Sequence, residues 1–427
     1  MGSPARPAAS SRRCAGAPSV RPASHRRRPG AIRWAGRTVL VVLIAGLVAS
    51  AVQLLRAYPL VTPVVTAAAA TQLGAAPSLP WPQRGEATLR VTGLGPMGSS
   101  GPLQPIPMAS TAKVMVALLI LEDHPLGIDQ PGPTVTLTAA DVADYQHDVA
   151  LDESSLPVVA GERLNEYQLL QGLLIPSASN FADLLARWDS GSLAAFVARM
   201  NQRAGALGMV STHYADASGF SPASVSVPVD LVTLAQRAMR DPVFARIVAQ
   251  PAVTLPIAGT RSSTDALLAE GVVIGIKTGH TDQAGGNFVF AAQSGVQGFP
   301  VEIYGAVMGQ ASLPAAFDAT RALVRSVVAH LHYEIVVHKL EPVALYRAPW
   351  GAATGARPDD LLQFLYADGM TLRRQAVVRT LQPPVAAGTV VGTLTVEVGD
   401  QRRMVPLVSS SPLQAPGLGW RLTRPPG

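Results

Sequence analysis

An uncharged apolar run near the N-terminus constrains this chain most, because only a membrane or a large protein core can surround it. Residues 38–55 (TVLVVLIAGLVASAVQLL) contain no charged side chain. A helix rises about 1.5 Å per residue, so this run spans roughly 27 Å, which is close to the hydrocarbon thickness of a bilayer. We therefore predict a membrane-spanning helix over residues 38–56.

The residues before this run predict its orientation. Residues 1–37 are rich in Pro, Ala, Ser and Arg, lack acidic residues and show no apolar periodicity, so we expect them to be disordered. Basic flanks stay in the cytoplasm, which places the rest of the chain outside a bacterial cell membrane. The alternative is a cleaved secretory signal, with the small residues 67–70 as the cleavage region and a secreted product.

The formal net charge of +6 belongs to the N-terminal part alone. Residues 1–85 contain eleven Arg and no acidic residue, whereas acidic residues outnumber basic ones in the remainder. A nucleic-acid-binding body is therefore not expected. The chain has one Cys, Cys14, which excludes internal disulfides and Cys-based metal sites. We expect neither a metal nor a cofactor.

The order of predicted elements indicates an α+β fold. Strand patterns near residues 86–106 precede helical patterns at 110–122, 166–174, 181–188, 193–207 and 229–239, with an irregular stretch at 134–160. Strand patterns return at 272–276, 287–292 and 301–307, and a helix closes the unit at 317–331. This order predicts an antiparallel sheet flanked by helices, built from both ends of a domain, with an inserted helical lobe.

A second unit follows, with short strand patterns between Gly and Pro turns that predict a small all-β domain. The predicted domains are a disordered basic cytoplasmic tail (1–37), a transmembrane helix (38–56), a Pro-rich tether (57–85), an α+β domain (86–332), an all-β domain (335–412) and a C-terminal tail (413–427).

Two short motifs carry the candidate chemistry, and they contain two of the three lysines of the chain. In the first, Ser110 and Lys113 lie three residues apart at a helix start, so one helical turn places both on one face. A serine hydroxyl needs an adjacent base to act as a nucleophile, and a buried, unprotonated lysine can serve as that base. An N-capping serine beside a solvent-exposed lysine is the structural alternative.

The second motif, Lys277-Thr278-Gly279, follows the strand predicted at 272–276. Its ammonium and hydroxyl groups can hold a carboxylate, and Gly279 leaves room for a substrate against the strand edge. The backbone N–H of His280 could point into the same cleft. The structural alternative is a strand that ends in a turn.

Together the two motifs resemble those of the penicillin-recognising serine enzymes. The third motif of that group, Ser-x-Asn, is matched by residues 177–179, except that Ser179 stands at the Asn position with Asn180 next. Segments 107–113, 215–220, 226–231 and 275–286 are similar to one branch, the D-alanyl-D-alanine carboxypeptidases of peptidase family S11. The resemblance covers about residues 86–330, and the C-terminal β domain is more loosely similar.

The resemblance implies a reaction and a role for each matching residue. Ser110 would attack the peptide bond between two D-Ala residues of a peptidoglycan stem peptide, Lys113 would take its proton, and Ser177 would relay the proton to the leaving D-Ala. The backbone N–H groups of Ser110 and His280 would form the oxyanion hole. The remaining substrate-binding residues would be Lys277, Thr278, Gly279, Ser179 and Asn180. β-Lactams would act as inhibitors.

Two other functions remain open from the sequence. A non-catalytic protein with the same fold could bind cell wall or a partner, with Ser179 as the sign of lost activity. A β-lactamase is the other alternative. It is disfavoured because Glu162, which loosely resembles a deacylating glutamate, precedes Ser177 instead of following it.

Overall fold

A computed structural model of the chain describes Met1 and residues 30–425. It divides into two compact units, Met1–Pro59 with Ala415–Gly427 and Leu60–Gln414. The disorder predicted for residues 1–37 falls mostly on residues 2–29, which lie outside the described residues. Residues 30–37 are helical, so the prediction is wrong there, and the first helix extends beyond the apolar run at its N-terminal side.

The α-helices of the described residues are, in chain order, α1 (Gly30–Leu55), α2 (Lys113–Asp123), α3 (Ala139–Ala150), α4 (Glu166–Leu174), α5 (Ser179–Ser190), α6 (Leu193–Ala206), α7 (Pro228–Ala238), α8 (Pro242–Val248), α9 (Leu313–Ala329) and α10 (Leu418–Thr423). Two short 3-10 turns cover Ala109–Ala112 and Ala266–Leu268.

The strands of the same residues are, in chain order, β1 (Pro63–Val65), β2 (Ala70–Leu73), β3 (Glu86–Val91), β4 (Gly95–Ser100), β5 (Ile106–Pro107), β6 (Thr134–Thr136), β7 (Arg163–Asn165), β8 (Val225–Ser226), β9 (Ala252–Leu255), β10 (Gly259–Ser262), β11 (Ile276–Thr281), β12 (Gly285–Val296), β13 (Phe299–Gln310), β14 (Leu331–Val337), β15 (Ala344–Arg347), β16 (Ala353–Pro358), β17 (Leu362–Ala367), β18 (Met370–Val378), β19 (Val390–Val398) and β20 (Gln401–Ser409).

The first unit consists of the apolar helix α1 and the short helix α10. The segment Trp34–Leu55 of α1 is long and apolar enough to cross a membrane, and none of it is buried in protein. At its C-terminal end, the guanidinium of Arg424 donates hydrogen bonds to the carbonyl oxygens of Gln53, Arg56 and Ala57 at 2.8–3.0 Å. The bond to Gln53 satisfies a carbonyl group that the helix leaves unpaired at this end, and the other two hold the chain just beyond it.

The second unit is built around a five-stranded antiparallel sheet in the order β11-β12-β13-β3-β4. Strands β12 and β13 form the predicted hairpin, with Val296 opposite Phe299 at the turn. Strand β3 comes from the start of the domain and pairs with β13 from its end. The predicted α+β architecture, with a sheet assembled from both ends of the domain, is confirmed.

The sheet separates two apolar cores. One sheet face packs against helices α2, α4, α5 and α7, and the core between them includes Met115, Phe181 and Val289. Helix α9 covers the other face, where Phe288 and Phe317 meet edge to face with ring centroids 5.2 Å apart. Helix α2 lies inside the first core with every residue from Lys113 to Leu121 buried, because its apolar side chains surround the whole helix.

The C-terminal part forms a seven-stranded sheet in the order β1-β15-β16-β20-β19-β18-β2. Both edge strands come from residues 57–85, which the sequence predicted to be a tether. That prediction is wrong for Pro63–Val65 and Ala70–Leu73, because β1 pairs with β15 and β2 pairs with β18. Proline is tolerated in β1 since an edge strand leaves N–H positions unpaired.

Two local predictions also need correction. The stretch 134–160 is not irregular throughout, because helix α3 occupies Ala139–Ala150 and begins with a capping box between Thr138 and Asp141. The second motif does not follow a strand at 272–276. Strand β11 begins at Ile276 and contains Lys277, Thr278 and Gly279, so its pairing with β12 overrides the weak strand preference of these residues.

Candidate active site

The loop before α2 is held in a special backbone conformation that places Ser110. Ala109 has a φ of 49°, in the left-handed region that residues with a side chain rarely adopt. Thr111 Oγ1 donates a hydrogen bond to the carbonyl of Met108 at 2.7 Å. Gly219 packs on Ala109 so closely that an added Cβ would lie 1.9 Å from the Ala109 carbonyl oxygen. Ser110 is therefore presented from a rigid turn.

Lys113 lies beneath Ser110 and is completely buried. Its Nζ donates to Ser110 Oγ at 2.8 Å and to Ser179 Oγ at 3.1 Å. Burial lowers the pKa of the Lys113 amine to about 8 and outweighs the nearby carboxylates, which raise it. An amine with this pKa is partly unprotonated near neutral pH, so it can accept the proton of the serine it contacts.

Ser179 reaches Lys113 directly, at the start of helix α5. Glu153, which no sequence motif contains, lies beside this serine: burial raises the pKa of its carboxyl group, and the Ser179 hydroxyl partly opposes that shift. Ser179, Lys113 and Ser110 thus form one hydrogen-bonded chain, and Glu153 adjoins it at Ser179. No motif identifies Glu153, because it lies in a loop 26 residues before Ser179.

Asn180 points elsewhere. Its Oδ1 accepts from the backbone N–H of Leu156 at 3.1 Å, and its Nδ2 donates to the Leu156 carbonyl at 2.9 Å. Both bonds are buried, so this amide fixes the loop that carries Glu153. Ser179 and not Asn180 is brought to Lys113.

Ser177 precedes α5 in a strained backbone position. Its φ is 72° and its exposed fraction is 4%. The loop around it is pinned by two backbone hydrogen bonds, from Ala178 to the Gly172 carbonyl and from Ser179 to the Ser154 carbonyl. Strain of this kind persists only where neighbouring structure enforces it, and it is concentrated at functional sites.

The second motif lies in β11 with its side chains buried. Lys277 Nζ donates to the Thr278 carbonyl at 3.0 Å, and Thr278 Oγ1 is 2.6 Å from Thr264 Oγ1. Burial and the positive charge of Lys113 both lower the pKa of Lys277 well below its usual value, while Asp265 raises it. An anionic ligand group would offset this buried charge.

Gly279 brings β11 against the turn that carries Ser110. A Cβ at this position would lie 3.0 Å from the Ser110 backbone nitrogen and 3.1 Å from both Ala109 Cβ and the Met108 carbonyl oxygen. An alanine here would therefore need its neighbours to shift by a few tenths of an ångström. His280 follows and is exposed at the cleft.

These elements enclose a cleft of about 270 Å³. Ser110, Ser179 and His280 line it together with Glu153 and Phe220. Lys113 lies behind the first two. Ser110 of the first motif and Ser179 of the third therefore meet at one cleft, with β11 on its opposite side, whereas Ser177 is not among the residues that line it.

A serine hydrogen-bonded to a buried lysine, on a five-stranded antiparallel sheet with a helical lobe, defines the class of serine acyl-transfer enzymes. A family model described as D-alanyl-D-alanine carboxypeptidase, peptidase family S11, matches residues 98–311, half of the chain. The chain belongs to this family.

Similar proteins of known name are also D-alanyl-D-alanine carboxypeptidases. The chain is 36% identical over 196 residues to D-alanyl-D-alanine carboxypeptidase DacB2 of Mycobacterium tuberculosis, covering 44% of this chain and 63% of that protein. It is 32% identical over 232 residues to D-alanyl-D-alanine carboxypeptidase of Streptomyces sp. strain K15, covering 50% of this chain and 76% of that protein.

Solved structures show the same fold. The Streptomyces K15 DD-transpeptidase matches with a TM-score of 0.53 and 28% identity, over 58% of this chain and 98% of that chain. Penicillin-binding protein 5 of Haemophilus influenzae matches with a TM-score of 0.57 and 18% identity, over 79% of this chain and all of that one. At this identity the second match concerns the fold alone.

Proposed function

We propose that this protein is a membrane-anchored serine D-Ala-D-Ala carboxypeptidase, which removes the terminal D-alanine from peptidoglycan stem peptides. The observation that carries the proposal is the buried Lys113 amine, 2.8 Å from Ser110 Oγ, at the wall of a cleft. Membership of the S11 family supports the substrate class.

Acylation begins with Ser110. Lys113, in its neutral form, takes the hydroxyl proton while Ser110 Oγ attacks the carbonyl carbon between the two D-Ala residues. The backbone N–H groups of Ser110 and His280 stabilise the oxyanion, as the close approach of β11 at Gly279 supports. Lys277 and Thr278 hold the terminal carboxylate, for which a buried ammonium and a hydroxyl are suited.

The proton then passes to the leaving D-alanine through Lys113 and Ser177, and water hydrolyses the acyl-enzyme. Ser179 keeps Lys113 in place, in the position where the related motif has Asn. Its hydroxyl accepts a hydrogen bond from Lys113, and the carboxyl group of Glu153 lies beside it. This arrangement supports an active site despite the departure from the motif.

The proposed carboxypeptidase activity is tested on the full chain in detergent. Incubation with a peptide ending in Lys-D-Ala-D-Ala is expected to release free D-alanine, and fluorescent penicillin is expected to label the protein. Both signals should vanish in Ser110→Ala. Labelling without D-alanine release would contradict the carboxypeptidase, and the absence of both would leave the non-catalytic binding protein.

Rapid release of the fluorescent product, with many penicillin molecules hydrolysed per enzyme, would instead indicate a β-lactamase.

We also propose that α1 remains uncleaved, with the catalytic unit on the extracytoplasmic side. The Arg-rich N-terminus supports this orientation. Cys14 is the one cysteine of the chain, so a membrane-impermeant maleimide should fail to label it in intact cells and label it after lysis. Val210→Cys in a Cys14→Ser background is the matched control, because Val210 is 90% exposed and should be labelled in intact cells.

Labelling of Cys14 in intact cells would contradict the orientation. Recovery of the catalytic unit without its N-terminal segment and outside the membrane fraction would show that the segment is cleaved.

A further inference from the structure

A second, larger cavity adjoins the catalytic cleft. It measures about 900 Å³ and shares Leu151, Glu153 and Phe220 with the cleft that contains Ser110. Helix α3, the start of helix α6 and the loop 213–221 supply its walls. A group attached to a substrate near the scissile bond can therefore enter this cavity while that bond lies at Ser110.

The wall of this cavity is acidic. The lining residues all lie within the described part of the chain, and none of them is a lysine or arginine. The basic groups among them are the imidazoles of His147 and His213. The carboxylates in the wall are those of Asp148, Glu153, Asp183 and Asp216. Asp216 is already engaged by the hydroxyls and backbone N–H groups of its own loop. The field in the cavity thus favours a cation.

One buried polar atom of the wall lacks a partner. Asp148 is 4% exposed, yet its Oδ2 has no hydrogen-bond partner within residues 30–425. A buried polar atom left unpaired costs about 1–3 kcal/mol. A ligand that donates a hydrogen bond to this oxygen would remove the cost.

The opposite part of the wall is apolar. Leu193, Ala194 and Val197, from the first turns of helix α6, line the cavity there. An aliphatic chain can lie against these side chains while its polar end reaches the carboxylates. A primary ammonium group has three donors and a positive charge, which match an unpaired carboxylate oxygen in an acidic wall.

We propose that this cavity binds a primary ammonium group at the end of an aliphatic side chain, carried by the residue that precedes D-Ala-D-Ala in the stem peptide. Asp148, whose Oδ2 is unpaired, is the principal counter-ion. The inference rests on the proposed function and adds a specificity site to it. It makes the enzyme selective for stem peptides whose diamino acid still has a free side-chain amine.

The charge state of the wall agrees with this assignment. Burial, followed by the negative charge of Glu153, raises the pKa of Asp148 to about 7. Burial likewise raises the pKa of Asp183 to about 7. A bound ammonium group stabilises the ionised form of these carboxylates. It therefore offsets the repulsion between their negative charges.

The test compares two peptides that differ only at the amine. The full chain in detergent is given Nα-acetyl-Lys-D-Ala-D-Ala or its Nε-acetylated form, and kcat/KM is measured from D-alanine release. We expect the free amine to be preferred by about tenfold or more, as for a charge-assisted hydrogen bond at a buried site. In Asp148→Asn the ratio of the two values should fall to near one.

Asp183→Asn provides a second cavity variant in case Asp148→Asn does not fold, and it should lower the ratio in the same direction. Asp318→Asn, which removes an exposed carboxylate on α9, should leave the ratio unchanged. A wild-type ratio near one, or a ratio that survives the cavity variants, would overturn the site while leaving the carboxypeptidase intact. Release from neither peptide would overturn the proposed function and the site with it.

A third arm separates the donor peptide from an acceptor amine. The Nε-acetylated peptide is incubated with a free amine acceptor, and the transfer product is quantified. If Asp148→Asn abolishes transfer while the hydrolysis ratio of the wild type is near one, the cavity serves an acceptor amine and the donor assignment is wrong.

Discussion

The pH dependence of acylation should report the ionisation of Lys113. Only the neutral amine can take the Ser110 proton, and burial lowers its pKa to about 8. At pH 7 about 10% of the amine is then neutral, against about 0.03% for a lysine of ordinary pKa, a difference of roughly 300-fold. The acylation rate should therefore rise with pH through a midpoint near 8 and level off above it.

Replacement of Glu153 should move this midpoint. The negative charge of Glu153 is the largest of the nearby charges that raise the pKa of Lys113, and the two groups are linked through Ser179. At an effective dielectric constant of about 20, two charges roughly 6 Å apart interact by about 3 kcal/mol, and solvent at the half-buried Glu153 reduces this. We expect Glu153→Gln to lower the midpoint by about 0.5–1 pH unit.

The assay is stopped-flow acylation by fluorescent penicillin between pH 5.5 and 9.5. Asp282→Asn is the matched control, because it removes an exposed carboxylate from the same cleft wall. Its midpoint should shift by less than about 0.3 units, as for a screened surface charge. A flat profile, a wild-type rate that still rises without levelling off at pH 9.5, or an unmoved midpoint in Glu153→Gln would refute the role of the buried amine.

Three further substitutions test separate parts of the structure. Ser179→Ala removes an acceptor of Lys113 and should lower the acylation rate by about 10- to 100-fold; an unchanged rate would contradict a positioning role. Gly279→Ala places a Cβ 3.0 Å from the Ser110 nitrogen, so acylation should fall at least tenfold with little loss of melting temperature; equal rates would show that the strand can move aside. Glu166→Gln tests a buried carboxyl whose pKa burial raises to about 7. A raised acid pKa makes the folded wild type lose stability as the pH rises from about 4 through 7. Compared with the wild type, Glu166→Gln should therefore be about 1–3 kcal/mol more stable at pH 8 and equally stable at pH 4, as measured by thermal or denaturant unfolding.

Much of the fold followed from apolar patterns alone. The helix at Glu166–Leu174 was predicted with its observed ends, and the β12–β13 hairpin was predicted from two alternating runs around a Gly turn. Helix α3 was missed because its composition is polar and little of it is buried. The edge strands β1 and β2 were missed because they are short and are stabilised by partners about 280–300 residues away.

The residues of the candidate active site were likewise only partly predictable from the sequence. Spacing places Ser110 and Lys113 on one helix turn, and the structure brings these two residues into contact. Glu153 and Asp148 could not be found from spacing, because their importance comes from the tertiary packing of α3 and the following loop against Ser179. Asn180 was a candidate by adjacency alone, and its side chain bonds Leu156 instead.

The most direct test of the central claim is to locate the covalent intermediate. The full chain is mixed with benzylpenicillin, quenched in acid, digested with trypsin and analysed by tandem mass spectrometry. The account predicts a stoichiometric penicilloyl adduct on Ser110, within the tryptic peptide 91–113, and no adduct in Ser110→Ala. An adduct on any other residue, or an unmodified peptide 91–113 from folded protein, would contradict Ser110 as the nucleophile.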